Sequence, residues 1–251
     1  MRTKQPRAKH VQQAFVLNTW GGKRKGAGRP APKGRRSSER HEERPHLNAR
    51  HPLHVTLRVA QAVGSLRRGR AYHAIRMALV TALAREGFRI VHVSLQRTHV
   101  HLVVEATSKE ILAKGMQGFQ IAAARYLNGA ITEETGVKRR GTVFTDRYHA
   151  RALSSPTAVR HALNYVLNNW RRHGEDRRAP SSRKVDPYSS GVNFGGWLEL
   201  ADSPFLYPVP EGFSRLTTSV AETWLLRIGW TKCNAISVWE KPGPEARRAV
   251  T

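Results

Sequence analysis

The apolar positions of this chain change their period several times between residues 54 and 170, and each change marks an element. Val55, Leu57 and Val59 alternate with Thr56 and Arg58, which predicts a half-buried strand starting at His54. From Ala71 to Glu86, Tyr72, Ile75, Leu79 and Leu83 recur at helical spacing, and Gly87 stands where such a helix would stop. Phe88 to Gln96 and Val100 to Ala106 are β-patterned runs parted by Arg97-Thr98-His99, as in an antiparallel pair. Lys109 to Asn128 is helical again, with Ser108 as N-cap and Ile111, Phe119, Ala122, Ala123 and Tyr126 on one side. Residues 143–153 form a further strand. Ser155-Pro156 then opens a helix that reaches Gly174, with Val159, Ala162, Leu163, Val166, Leu167 and Trp170 as its buried stripe.

The order β-α-β-β-α-β-α fits an α+β fold, a ferredoxin-like sandwich with an antiparallel sheet and a terminal helix laid on or beside it. This domain occupies residues 51–175. From Glu175 to Ser190 the chain is polar and rich in Pro, Ser and Arg, as a linker is. Trp197, Leu198, Trp224, Leu225, Leu226, Ile228, Trp230, Ile236, Val238 and Trp239 follow and give a C-terminal extension apolar mass to pack. Residues 176–251 are therefore read as linker and extension, without a fold that periodicity defines.

Charge changes the picture next. The 251 residues carry 43 Lys and Arg against 18 Asp and Glu, a formal net charge of +25. Such an excess favours a polyanionic partner, because each cation set on a phosphate releases a counterion. Nucleic acid is the leading candidate. Residues 1–50 hold 14 of the Lys and Arg and three Glu, with few apolar groups, and are read as a flexible basic arm. Within it Ala27-Gly28-Arg29-Pro30 resembles the Gly-Arg-Pro core of an AT-hook; Arg29 either enters an A·T-rich minor groove or belongs to a solvated tail. No apolar run approaches the ~20 residues of a membrane helix, and no signal peptide is evident at the N-terminus. The single cysteine, Cys233, excludes an internal disulfide and a multi-cysteine zinc site. A cytoplasmic protein without membrane association is expected.

Candidate chemistry sits on two elements. In the strand from Val100 to Ala106, Val100, Leu102 and Val104 take one face, so His99, His101 and Glu105 take the other. Two neighbouring imidazoles either decorate a polar sheet face or share a divalent cation whose shell a carboxylate, amide or water completes. On the last helix Tyr165 lies off the buried stripe and Asn169 is one turn further along the same side. If that helix packs on the face bearing the histidines, Asn169 can offer its carbonyl oxygen to the metal and Tyr165 can attack a phosphodiester. Otherwise Tyr165 is an aromatic at the core edge.

Three segments together carry a resemblance. Thr98-His99-Val100-His101-Leu102-Val103-Val104 resembles the His-hydrophobic-His strand of the HUH single-strand nucleases. Asn164-Tyr165-Val166-Leu167-Asn168-Asn169 resembles the Tyr-x-x-x-Asn helix of single-tyrosine, IS200-like transposases, in particular the REP-associated tyrosine transposases. Phe144-Thr145-Asp146-Arg147-Tyr148-His149 is similar to the Arg-Tyr-His strand that these proteins carry before that helix; Trp170 stands where many relatives have proline.

The resemblance implies the HUH nuclease fold and a bacterial, nucleoid-associated enzyme with Tyr165 as nucleophile and His99, His101 and Asn169 as ligands of Mg²⁺ or Mn²⁺. It implies nicking and joining of single-stranded DNA beside a hairpin, through a 5′-phosphotyrosine and a free 3′-hydroxyl, with no small-molecule cofactor. Arg139, Arg140, Arg147, Arg151, Arg171 and Arg172 flank this site and either bind the strand's phosphates or remain solvated charges; His149 either assists or is a polar strand residue. Monomer and homodimer both remain open. The competing reading is a non-catalytic regulator on the same fold that binds hairpin DNA or RNA.

Overall fold

The structure is a computed structural model that describes residues 46–180, 184–203, 206–207 and 209–243, all within one compact unit, Ser38–Thr251. Most of the basic arm, with Arg29, lies outside the described residues. Four strands, β1 (Leu53–Arg58), β2 (Phe88–Leu95), β3 (His99–Ala106) and β4 (His149–Ala152), form one sheet in the order β2-β3-β1-β4. Each neighbouring pair is antiparallel, which is the expected α+β sandwich.

One face of the sheet is apolar throughout. Val55 and Leu57 of β1, Val100, Leu102 and Val104 of β3, and Phe88, Ile90, Val93 and Leu95 of β2 form a buried cluster under helices α1 (Gly69–Leu83) and α2 (Lys109–Thr135). Burying each such side chain is worth about 1.5–3 kcal/mol, so the period-2 pattern fixes which face the two helices cover. At Gly115 of α2 a Cβ would lie 2.3 Å from the Phe88 ring, so the missing side chain lets helix and sheet approach.

Both helices depart from the sequence reading. α1 ends at Leu83 with Ala84 as its C-cap, and Leu83 is exposed, because Ala74, Ala78 and Ala82 fill the stripe against α2 instead. Gly87 is not the helix stop. It takes φ +70° in the turn into β2, and its carbonyl accepts the Thr107 N–H at 3.0 Å. α2 starts where expected, Ser108 Oγ accepting the Ile111 N–H at 3.2 Å, but continues past Asn128 to Gly136 in the left-handed region. Its buried side is Leu112, Met116, Phe119, Ala123 and Leu127, while Tyr126 is exposed. The strand expected over residues 143–153 shrinks to β4, because after Phe144 has paired once with Val59 and the Thr145 N–H has bonded the Arg58 carbonyl the chain leaves the ladder at Asp146-Arg147.

The second face carries helix α3 (Pro156–Arg172), with Ser155 Oγ capping the Ala158 N–H at 3.2 Å and Pro156 in the first turn. Every member of its expected stripe is buried. The C-terminal extension joins this core: Trp197, Leu225, Leu226, Trp230, Ile236 and Val238 cluster with Val159, Leu163, Val166 and Leu167 of α3 and with Val91 and Val103 of the sheet. The extension is thus continuous with the domain's second layer. Among the described residues no helix is long and apolar enough to cross a membrane.

Candidate active site

Directly opposed residues on neighbouring strands share a face, so register alone defines the floor of the site. Thr56 pairs with both His101 and His149, and His101 with Ser94, which makes one row of His149, Thr56, His101 and Ser94 across the sheet. The next row is Arg151, His54, Val103 and His92, and His99 opposes Arg58.

Threonine hydroxyls orient both motif imidazoles. His101 Nδ1 is 3.3 Å from Thr56 Oγ1, and His99 Nδ1 is 2.9 Å from Thr98 Oγ1. With Nδ1 engaged, Nε2 is the nitrogen by which each ring would meet a metal ion. Burial, and after it the neighbouring His54, His99 and His173, holds the His101 imidazole well below the usual histidine range. At pH 7 it is therefore the neutral form that a metal requires.

α3 brings the remaining groups. The Tyr165 ring stands edge-on to His101 at a centroid distance of 5.4 Å and to His54 at 5.5 Å. The Arg172 guanidinium lies 5.6 Å from the centre of the same phenol ring, and one of its nitrogens donates to the Gly243 carbonyl at 2.5 Å. Asn169 is completely buried, and among the described residues neither its amide oxygen nor its amide nitrogen has a hydrogen-bond partner. A buried amide costs about 1–3 kcal/mol when unsatisfied, which fits an oxygen meant for a ligand. Among the described residues no group of three or more His, Cys, Asp or Glu can hold a metal ion, so a cation here would rest on two imidazoles and an amide oxygen.

His54 was missed by motif reasoning. It lies 5.6 Å from His101, ring on ring, and belongs to no motif. Its signal was the alternation itself, since His54, Thr56 and Arg58 occupy the polar face opposite Val55 and Leu57. Glu105 shares the histidines' face but has a structural task. Its carboxylate accepts Arg89 Nε at 2.9 Å and the Glu222 and Thr223 N–H groups at 2.9 and 2.8 Å, and so ties the extension to β3 at the start of helix α4 (Trp224–Arg227).

The flanking cations divide. Arg140, Arg147 and His149 are exposed, and Arg151 lines a pocket beside Tyr165 and His54. Arg139 is turned back onto α2, donating to Asn128 Oδ1 and to the Thr142 carbonyl. Arg171 is turned into the protein. Its guanidinium donates to the Val238 carbonyl, to Asp176 at 3.2 Å and to the Lys184 carbonyl at 2.8 Å, and it stacks on Trp239 at 4.6 Å. With each of its three nitrogens donating inside the protein, it clamps the end of α3 to the extension.

Residues 50–169 match the family model described as transposase IS200 like. A solved REP-associated tyrosine transposase bound to a REP hairpin is similar at 17% identity, over 68% of this chain and 89% of that one, with a TM-score of 0.45. A candidate transposase from Deinococcus radiodurans R1 is similar at 15% identity, over 58% of this chain and all of that one, with a TM-score of 0.35. No curated protein matches. The segment that matches the family model runs from just before β1 to Asn169 and so contains the whole sheet, both histidines and Tyr165.

Proposed function

We propose that the protein is a metal-dependent, single-tyrosine transposase that nicks and rejoins single-stranded DNA beside a hairpin. The observation that carries this reading is the contact of one phenol with the imidazole face of its own chain, Tyr165 lying 5.4 Å from His101. A structural tyrosine does not need that neighbour. In the nicking step the Tyr165 oxygen attacks the scissile phosphorus. The Tyr165 hydroxyl gives up its proton to water as the new O–P bond forms, the P–O3′ bond breaks with its electron pair passing to the 3′ oxygen, and that oxygen takes up a proton from water to become a hydroxyl. The 5′ phosphate remains esterified to Tyr165, so the energy of the broken bond is retained for rejoining by the reverse displacement.

His99, His101 and Asn169 are the residues that would hold Mg²⁺ or Mn²⁺. When bound, such an ion polarises a phosphoryl oxygen and steadies the leaving 3′ oxygen. The remaining work belongs to side chains. Thr56 and Thr98 fix the two imidazoles, Arg172 places a positive charge over the Tyr165 ring, and Arg140, Arg147, Arg151 and His149 offer cations and a donor to the strand. The high positive charge supports a nucleic-acid substrate, and the three motif resemblances support hairpin DNA.

The test is a comparison of substrates. With Mn²⁺ present, labelled single-stranded DNA containing an imperfect palindrome from beside the gene should be cut at one position, and the same sequence as full duplex should not. Equal cutting of both forms would contradict single-strand specificity. Hairpin binding with no cutting under any divalent cation would favour the non-catalytic regulator.

A further inference from the structure

The cavity beside Tyr165 extends away from the motif histidines. It has a volume of about 490 Å³ and is walled by Arg151 of β4, His54 of β1, Ala158, His161 and Tyr165 of α3, and Pro242 of the C-terminal segment. Neither His99 nor His101 lines it. It follows α3 from Ser155 to Tyr165, about 15 Å at the helical rise.

Its walls suit a nucleotide. The volume lies within the usual range of small-ligand sites. Ala158, Ala162, Pro242 and Gly243 line it with small side chains or none, and the rings of His54 and Tyr165 are also in its wall. His161 is exposed and stands one turn before Tyr165 on the same side of α3. The acid in the wall, Glu240, is neutralised by Arg160, whose guanidinium meets both carboxylate oxygens at 2.6 Å. Arg151 places a guanidinium in the same wall.

We propose that this pocket is a nucleotide subsite, holding the nucleotide immediately 3′ of the cleaved bond, the one whose 5′ phosphate Tyr165 takes up. The assignment rests on Tyr165 as nucleophile. It goes further by dividing the strand between two sides of that residue. The leaving 3′ end falls on the side of the motif histidines, whereas the nucleotide joined to Tyr165 must be housed in space that Tyr165 itself lines. Because the base would stack rather than pair, the pocket accepts a base by its shape and its phosphate by Arg151.

Binding tests the subsite independently of cleavage. The probe is a short 5′-phosphorylated oligothymidine whose first residue is either intact or abasic, titrated against the full chain. The intact strand should bind about tenfold more tightly, the scale of one stacked base. Ala158→Phe, which fills the slot, should abolish that preference, and the exposed His161→Ala should reduce it while leaving the fold intact. Equal binding of the two strands by the wild-type protein would overturn the proposal, as would full preference in both variants. A missing covalent adduct with hairpin DNA, together with a retained preference for the intact strand, would instead count against the nucleophile and leave the pocket as a binding site.

Discussion

The plane of the Tyr165 ring stands at 81° to that of His101, with centroids 5.4 Å apart, so a helix residue and a strand residue separated by 64 positions share one small volume. Two patterns bring them together. The period-2 alternation of β3 turns His101 to the polar face, and the period-3.6 stripe of α3 fixes which side of that helix Tyr165 occupies.

Removing the motif imidazoles should separate chemistry from binding. His99→Ala or His101→Ala is expected to abolish cleavage of hairpin DNA with affinity retained to within a few-fold, since phosphate contacts supply most of the affinity. Asn169→Ala should act more mildly on cleavage, because water can replace one amide ligand. Gel-shift titrations and cleavage assays on the same preparations check both parts; full cleavage by the double histidine variant would refute the metal site.

Acid should weaken the fold through two histidines. Burial pushes His92 down to about 4 and holds His101 well below its usual range, so the unfolded chain takes up protons that the folded one refuses. The stability that these neutral rings contribute is complete above pH 6.5 and falls away as pH drops toward 4, by about 3 kcal/mol for His92. Denaturant midpoints at pH 7.5, 6 and 5 measure this, and His92→Asn should flatten the decline.

Glu105 anchors the extension rather than the metal. Glu105→Ala removes the acceptor for Arg89 and for two backbone N–H groups from a side chain that is 1% exposed, which should cost about 3 kcal/mol. Residues near 222 should become sensitive to protease while hairpin binding persists. Unchanged stability and proteolysis would show that the extension is held elsewhere.

The arginines should sort by their partners. Arg147→Ala and Arg140→Ala are each expected to lower the log–log salt slope of single-strand binding by about 0.7. Arg171→Ala should leave that slope alone and lower stability by about 2 kcal/mol, because its side chain is 9% exposed and each of its nitrogens donates within the protein.

These contrasts also mark what was legible in the sequence. Strand alternation and the α3 stripe gave the sheet, its polar face and the position of Tyr165, because period and burial are coupled wherever one face packs. The α1 stripe was misread at Leu83, since alanines carry little hydropathic signal yet pack closely between helices. The site was legible where its residues lie in short motifs and illegible where tertiary pairing decides. Thr56 opposes His101 only through sheet register, and the surroundings of Arg171 come from Val238 and Lys184, which no local pattern connects to it.

The most direct test of the account is the covalent bond itself. Full-length protein incubated with labelled single-stranded hairpin DNA and Mn²⁺ should yield an adduct that survives denaturant, and peptide mapping by mass spectrometry should find the nucleotide on Tyr165. Tyr165→Phe should yield none. An adduct that persists in Tyr165→Phe, or that maps to another residue, would contradict the account.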